Sequence, residues 1–103
     1  MANSSQYIVL KSRGLDFVEV WFGAPRCVPP NLTRTYQLLL HLVTMKGVVP
    51  VRLAFSIGYN SRIIGQAVRR GYLELSSAPK KVSWETADRI AKMIGEPPRE
   101  MVT

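Results

Sequence analysis

Arg62, Gln66, Arg69 and Arg70 stand four, three and one residues apart. On a helix the first three share one face and the fourth flanks it. A guanidinium can bond guanine through a bidentate fork, and a carboxamide can do the same with adenine. The intervening Ile63, Ile64, Ala67 and Val68 make an apolar opposite side. The polar set must therefore point outward, whether it meets a base edge or only water. Further along, Lys80 and Lys81 follow Pro79 in a turn-rich stretch. Paired ammonium groups there could clamp a phosphate or simply remain solvated.

No catalytic chemistry accompanies these cations. His41 is the only histidine and lies within an apolar helical pattern, where a half-buried packing role fits better than that of a base or ligand. Acidic residues are few and scattered, without the paired-acid or HExxH-like spacing that acid–base or metal chemistry uses, and no Gly-rich phosphate loop occurs. Serine, threonine and cysteine have no evident base partner. The expectation is a non-enzyme with no cofactor and no metal. Cys27 is the only cysteine, which excludes an intramolecular disulfide and a Cys-based zinc site. Its neighbour Arg26 could lower the thiol pKa and make a sensor, but an incidental cysteine is the plainer reading.

The bulk properties point toward a polyanion. The 103-residue chain is of single-domain length, is 47% apolar, and carries a net charge of +7 with a pI near 10.1. The excess is uneven: residues 1–30 hold three basic and two acidic side chains, and residues 31–103 hold eleven and five. Between Pro50 and Lys81, Arg52, Arg62, Arg69, Arg70, Lys80 and Lys81 face a single anion, Glu74. The first residues lack the charged and apolar regions of a secretory signal, and no apolar run approaches a membrane span. A cytoplasmic protein with no membrane contact is expected.

Several elements must position these groups. Tyr7–Leu10 and Asp16–Phe22 are rich in β-formers around a Ser12-Arg13-Gly14 turn signal, which predicts a hairpin. Pro29-Pro30 enforces an extended linker. A helix is expected from Thr33 to Lys46, capped by Asn31 or Thr33, with Tyr36, Leu39, Leu40 and Val43 as its stripe. Two short helices follow near 50–57 and 61–70, with Ser61 at the N-cap position and Gly71 as the C-terminal glycine. Between them Ala54 is small enough for close helix approach, and Gly58 can take the positive φ of a sharp exit. Ile57, Ile64 and Val68 can seal the pair against a third helix. Gly65 inside the second helix marks a close approach, to the first motif helix or else to a DNA backbone. Tyr72–Leu75 and Val82–Trp84 read as strands around a loop at 76–81, with Tyr72 and Trp84 in the core. A last helix spans about Glu85 to Ile94, and Glu96–Arg99 forms a tail.

Helix, helix, helix, strand, short basic loop, strand and closing helix is the order of a winged helix-turn-helix domain. Residues 33–95, about 60% of the chain, resemble that family. Val68-Arg69-Arg70-Gly71-Tyr72-Leu73-Glu74-Leu75 is similar to the passage from recognition helix into wing in small bacterial and archaeal regulators. The resemblance implies that helix 61–70 reads the major groove and that the wing at Ser76–Lys81 touches phosphate or minor groove. By position it implies DNA contacts from Asn60, Ser61, Arg62, Gln66, Arg69, Arg70, Lys80 and Lys81.

The expected fold class is thus α+β: a three-helix core, a short β wing and a closing helix in residues 31–103, preceded by an N-terminal hairpin and linker in residues 1–30. The expected function is sequence-specific double-stranded DNA binding by a small prokaryotic or viral transcriptional regulator. Apolar side chains on both faces of residues 16–22 favour a homodimer, with the closing helix as the other possible contact. Two rivals stay open: an RNA- or ribosome-associated winged helix, and a protein-interaction module such as a viral inhibitor using the same fold.

Overall fold

Tyr7-Ile8-Val9-Leu10 is an unbroken apolar run, the pattern of a strand covered on both faces. The computed structural model, which describes residues 6–95, places it accordingly. This strand, β1 (Tyr7–Leu10), is the centre of a three-stranded antiparallel sheet. It pairs on one side with β2 (Val48–Pro50) and on the other with β3 (Leu73–Ser76). Ile8 stands opposite both Val49 and Leu75, and Leu10 opposite Leu73. These side chains share one face and enter the core, while Val9 on the other face is also buried.

Five helices surround the sheet: α1 (Ser12–Trp21), α2 (Thr33–Thr44), α3 (Val51–Ser56), α4 (Ser61–Arg69) and α5 (Trp84–Met93). Short 3-10 turns at Pro25–Cys27 and Pro30–Leu32 carry the chain from α1 to α2. α2 is the most enclosed helix, with Tyr36, Leu38, Leu39, Leu42 and Val43 all buried. It packs against α1, α4 and β1. The molecule is therefore an α+β fold with its core between α2 and one face of the sheet.

The expected N-terminal hairpin is not formed: residues 12–21 are a helix. Their β-branched and aromatic types favour a strand locally, but such preferences yield to packing. Both edges of β1 are already occupied by β2 and β3, so no ladder remains for residues 16–22 to join. As a helix the segment instead buries Gly14, Leu15 and Val18 in one stripe. On its outer side Asp16 and Glu19 both accept from Arg89 of α5, the Asp16 contact at 2.6 Å. Phe17 stacks on Tyr72 with ring centroids 5.0 Å apart.

The expected wing hairpin is also corrected. β3 pairs with β1, and residues 82–84 form no strand. Ser83 instead caps α5, its Oγ accepting from the Thr86 amide at 3.2 Å. This makes Trp84 the first residue of α5, and it is 60% exposed rather than in the core. Ile57, expected to seal the helix pair, is 44% exposed because α3 ends at Ser56.

Two caps differ from expectation as well. α2 starts without a side-chain cap, and the Thr33 hydroxyl donates to the Pro29 carbonyl at 3.4 Å. α2 ends at Thr44, two residues before the expected Lys46, because Lys46 and Gly47 both take positive φ, +64° and +94°. Gly47 also lies close to α5 and the loop before it: an added Cβ would lie 2.6 Å from Val82 Cγ1 and 3.3 Å from Ile90 Cδ1. The expected tail at Glu96–Arg99 lies outside the described residues.

Candidate functional site

The helix pair 51–69 forms as its small residues dictate. Ala54 is fully buried between its neighbours, and Gly58 takes φ +109° at the turn. The Tyr59 amide donates to the Ala54 carbonyl at 3.0 Å, closing the exit from α3. α4 then begins from Asn60, in extended backbone at φ −126°, ψ 173°. Its Oδ1 accepts from the Ile63 amide at 3.0 Å. The N-cap is thus Asn60 rather than the expected Ser61, which becomes the first helical residue. Such a cap is worth about 1 kcal/mol.

α4 is strongly two-sided. Ile64 and Ala67 are buried, and Ile63 and Val68 are half-buried beside them. Ser61, Arg62, Arg69 and Arg70 are exposed, and Gln66 is half-buried. The helix ends as Gly71 takes φ +81° and the Tyr72 amide donates back to the Ala67 carbonyl at 3.0 Å. β3 follows at once and runs back beside α4, so that Leu75 lines a shallow groove with Ser61, Arg62, Gly65 and Arg69.

Six of the eight expected contact residues, Asn60, Ser61, Arg62, Gln66, Arg69 and Arg70, thus sit on α4 or its ends. Lys80 and Lys81 lie in the exposed loop after β3. The start of that loop is held by Ser76, whose hydroxyl donates to the Ala78 carbonyl at 2.6 Å. Lys80 is not free: its Nζ lies 3.1 Å from Glu74, the one anion of the basic stretch. No ion pair among the described residues involves Arg62, Arg69, Arg70 or Lys81.

Two cations that the sequence reading did not single out join this surface. Arg34, in the first turn of α2, donates through Nη2 to the Gly58 carbonyl at 3.0 Å and through Nη1 to Gln37 at 2.8 Å. Its guanidinium lies 4.7 Å from the centroid of the Tyr59 ring. Burial raises the Tyr59 phenol pKa, and the Arg34 charge opposes that shift. A signal was present in the sequence: a cation in a first helical turn opposes the helix dipole, so it needs another reason to be there. Arg13, in the first turn of α1, passes beside Gly71, where an added Cβ would lie 3.4 Å from its Cδ. Only the pairing of β1 with β3, through Lys11 N–H to the Tyr72 carbonyl at 2.9 Å, carries it there.

Gly65 does not meet the first motif helix, one of the two approaches expected of it. A Cβ there would meet only the flexible tip of Arg69, at 3.5 Å. No neighbouring helix approaches it, although glycine in a helix interior costs about 1 kcal/mol relative to alanine. Gly14 is the opposite case, since a Cβ there would overlap the Tyr72 carbonyl oxygen.

Among the described residues no group of three or more His, Cys, Asp and Glu side chains could hold a metal ion, and no helix is long and apolar enough to cross a membrane. His41 is half-buried and Cys27 is exposed. What the surface offers is hydrogen-bond donors and positive charge. Comparison with protein-family models, with curated proteins and with solved structures gives no match for this chain.

Proposed function

We propose that this chain is a winged-helix-like domain that binds double-stranded nucleic acid, with α4 as the element that enters the major groove of DNA. The observation that carries the reading is the outward face of α4. Arg62, Gln66 and Arg69 share it, an Asn60 cap fixes its start, and no carboxylate neutralises its cations among the described residues. The arrangement of α3, turn and α4 between two strands of one sheet supports the same reading. A returning wing strand would occupy the place beside β3; here β1 fills it from the N-terminal side. The 77–83 loop then serves as the wing, with Lys81 free to meet phosphate and Lys80 shared with Glu74.

Two copies acting together would supply two half-sites. The surface favoured for that contact is the end of α1, where Val20 and Phe22 are 70% and 48% exposed. It is narrower than the sequence implied, because Val18 is buried and Phe17 and Trp21 are half-buried against the core.

Fluorescence anisotropy with random-sequence duplex DNA and with structured RNA, over a salt series, tests the function. The expected result is duplex binding that weakens by orders of magnitude between about 50 and 200 mM salt. A flat salt response removes the reading. Preferential retention on RNA transfers the same surface to the ribosome-type alternative, and binding to neither leaves the protein-interaction module.

A further inference from the structure

We infer that the groove between α4 and β3 seats one sugar–phosphate strand of the bound duplex, with Gly65 as the point of closest approach. This rests on the nucleic-acid reading above and adds to it where, and how closely, one strand lies.

Gly65 is the starting observation. Its backbone is helical and does not need glycine, since its φ is not among the positive ones. Its environment does not need glycine either, because an added Cβ would meet only the movable Arg69 guanidinium at 3.5 Å. Alanine would be the better helix former at this position. A glycine that neither backbone nor packing requires fits a place where another molecule's backbone comes close.

The surroundings fit one kind of molecule. Gly65 opens onto a groove lined by Ile64, Val68 and Leu75 together with Arg62 and Arg69, the Arg69 guanidinium lying over the glycine. Apolar walls suit the carbon face of a deoxyribose. The guanidinium groups of Arg62 and Arg69 in the same lining suit the phosphates that flank it, since arginine bonds phosphate through a planar fork. No carboxylate lines the groove. The nearest in sequence, Glu74, alternates to the other face of β3 from Leu75 and is held by Lys80. With a net charge of +7 on the chain, a polyanionic strand is the complementary occupant.

The test compares Gly65→Ala and Gly65→Leu with the unaltered chain, using thermal melting and anisotropy on labelled random and fixed-sequence duplexes. Gly65→Ala is expected to melt at a higher temperature and yet bind every duplex more weakly, by a common factor. Gly65→Leu is expected to lose about tenfold or more in affinity. The salt slope should be retained, because no cation has been removed. Unchanged affinity in both variants, a lower melting temperature for Gly65→Ala, or a loss confined to particular base sequences overturns the inference. An Arg62→Ala/Arg69→Ala variant in the same assay separates the two levels. If it weakens binding while the Gly65 variants do not, the groove assignment alone falls. If neither weakens binding, the nucleic-acid reading falls with it.

Discussion

The Arg34 guanidinium donates to the carbonyl oxygen of Gly58 at 3.0 Å, tying the first turn of α2 to the turn between α3 and α4 across 24 residues of sequence. Gly58 ends α3 in left-handed backbone, and its carbonyl is left outside the helical ladder. The same guanidinium covers the Tyr59 ring at 4.7 Å. One side chain therefore ties α2 to the turn from which α4 leaves.

Arg34→Ala should destabilise the fold by about 1–2 kcal/mol, the sum of a charge-assisted hydrogen bond and an exposed cation–π contact after solvent screening. Arg34→Lys should recover only part of this, because an ammonium cannot reach Gly58 and Gln37 as a planar fork does. Urea denaturation midpoints check both. Equal stability of all three proteins would show that the turn is held without Arg34.

Gly14→Ala should be destabilising by roughly 1–3 kcal/mol, the usual range for overpacking. The atom in the way is a backbone carbonyl, that of Tyr72, which cannot swing aside. Helix propensity alone would make the same change stabilising. The sign of the shift in melting temperature decides between packing and propensity.

Glu74→Gln should tighten duplex binding, because it releases Lys80 from its 3.1 Å ion pair while leaving the strand intact. Lys81→Ala should weaken all sequences about equally, as loss of a phosphate contact does. Gln66→Ala should cost roughly 1–3 kcal/mol on a preferred site and less on random DNA. Anisotropy on selected and random duplexes reads all three. Glu74→Gln binding no tighter than the parent would show that Lys80 does not face the ligand.

Stability should fall in alkali faster than exposed tyrosines would allow. Burial raises the phenol pKa of Tyr36, and it raises that of Tyr59 against the opposing charge of Arg34. The unfolded chain releases these protons first, near pH 10. Their contribution is therefore complete below about pH 10 and is lost as pH climbs from there toward the folded-state values. Urea midpoints from about pH 9 to 11 should slope downward, and a Tyr36→Phe/Tyr59→Phe variant should show a shallower slope. Parallel slopes would remove the effect.

If Val20 and Phe22 form the contact between two copies, sedimentation should give twice 11.6 kDa, and Val20→Glu should return the mass to one chain without unfolding it. A single-chain mass for the parent at micromolar concentration would dismiss the dimer.

The sequence by itself determined what short-range rules control. The stripe of α2 follows from the three- and four-residue spacing of its large apolar side chains. The breaks at Gly58 and Gly71 follow because positive φ suits glycine, and both residues adopt it. The outward face of α4 follows because Ile64 and Ala67 must be buried, which leaves Arg62, Gln66 and Arg69 no other side.

Tertiary structure decided which strand meets which. Nothing local tells β3 to choose Leu10 and Ile8 as partners over Val82–Trp84, because pairing depends on side chains more than sixty residues away. Once β1 held both neighbours, Asp16–Trp21 lost its possible ladder and became a helix despite its β-forming residues. The same docking carried Arg13 to Gly71 and Arg89 to Asp16 and Glu19. Hydrophobic periodicity sees one element at a time; burial of the shared core sees them all together, and it overruled local preference where the two disagreed.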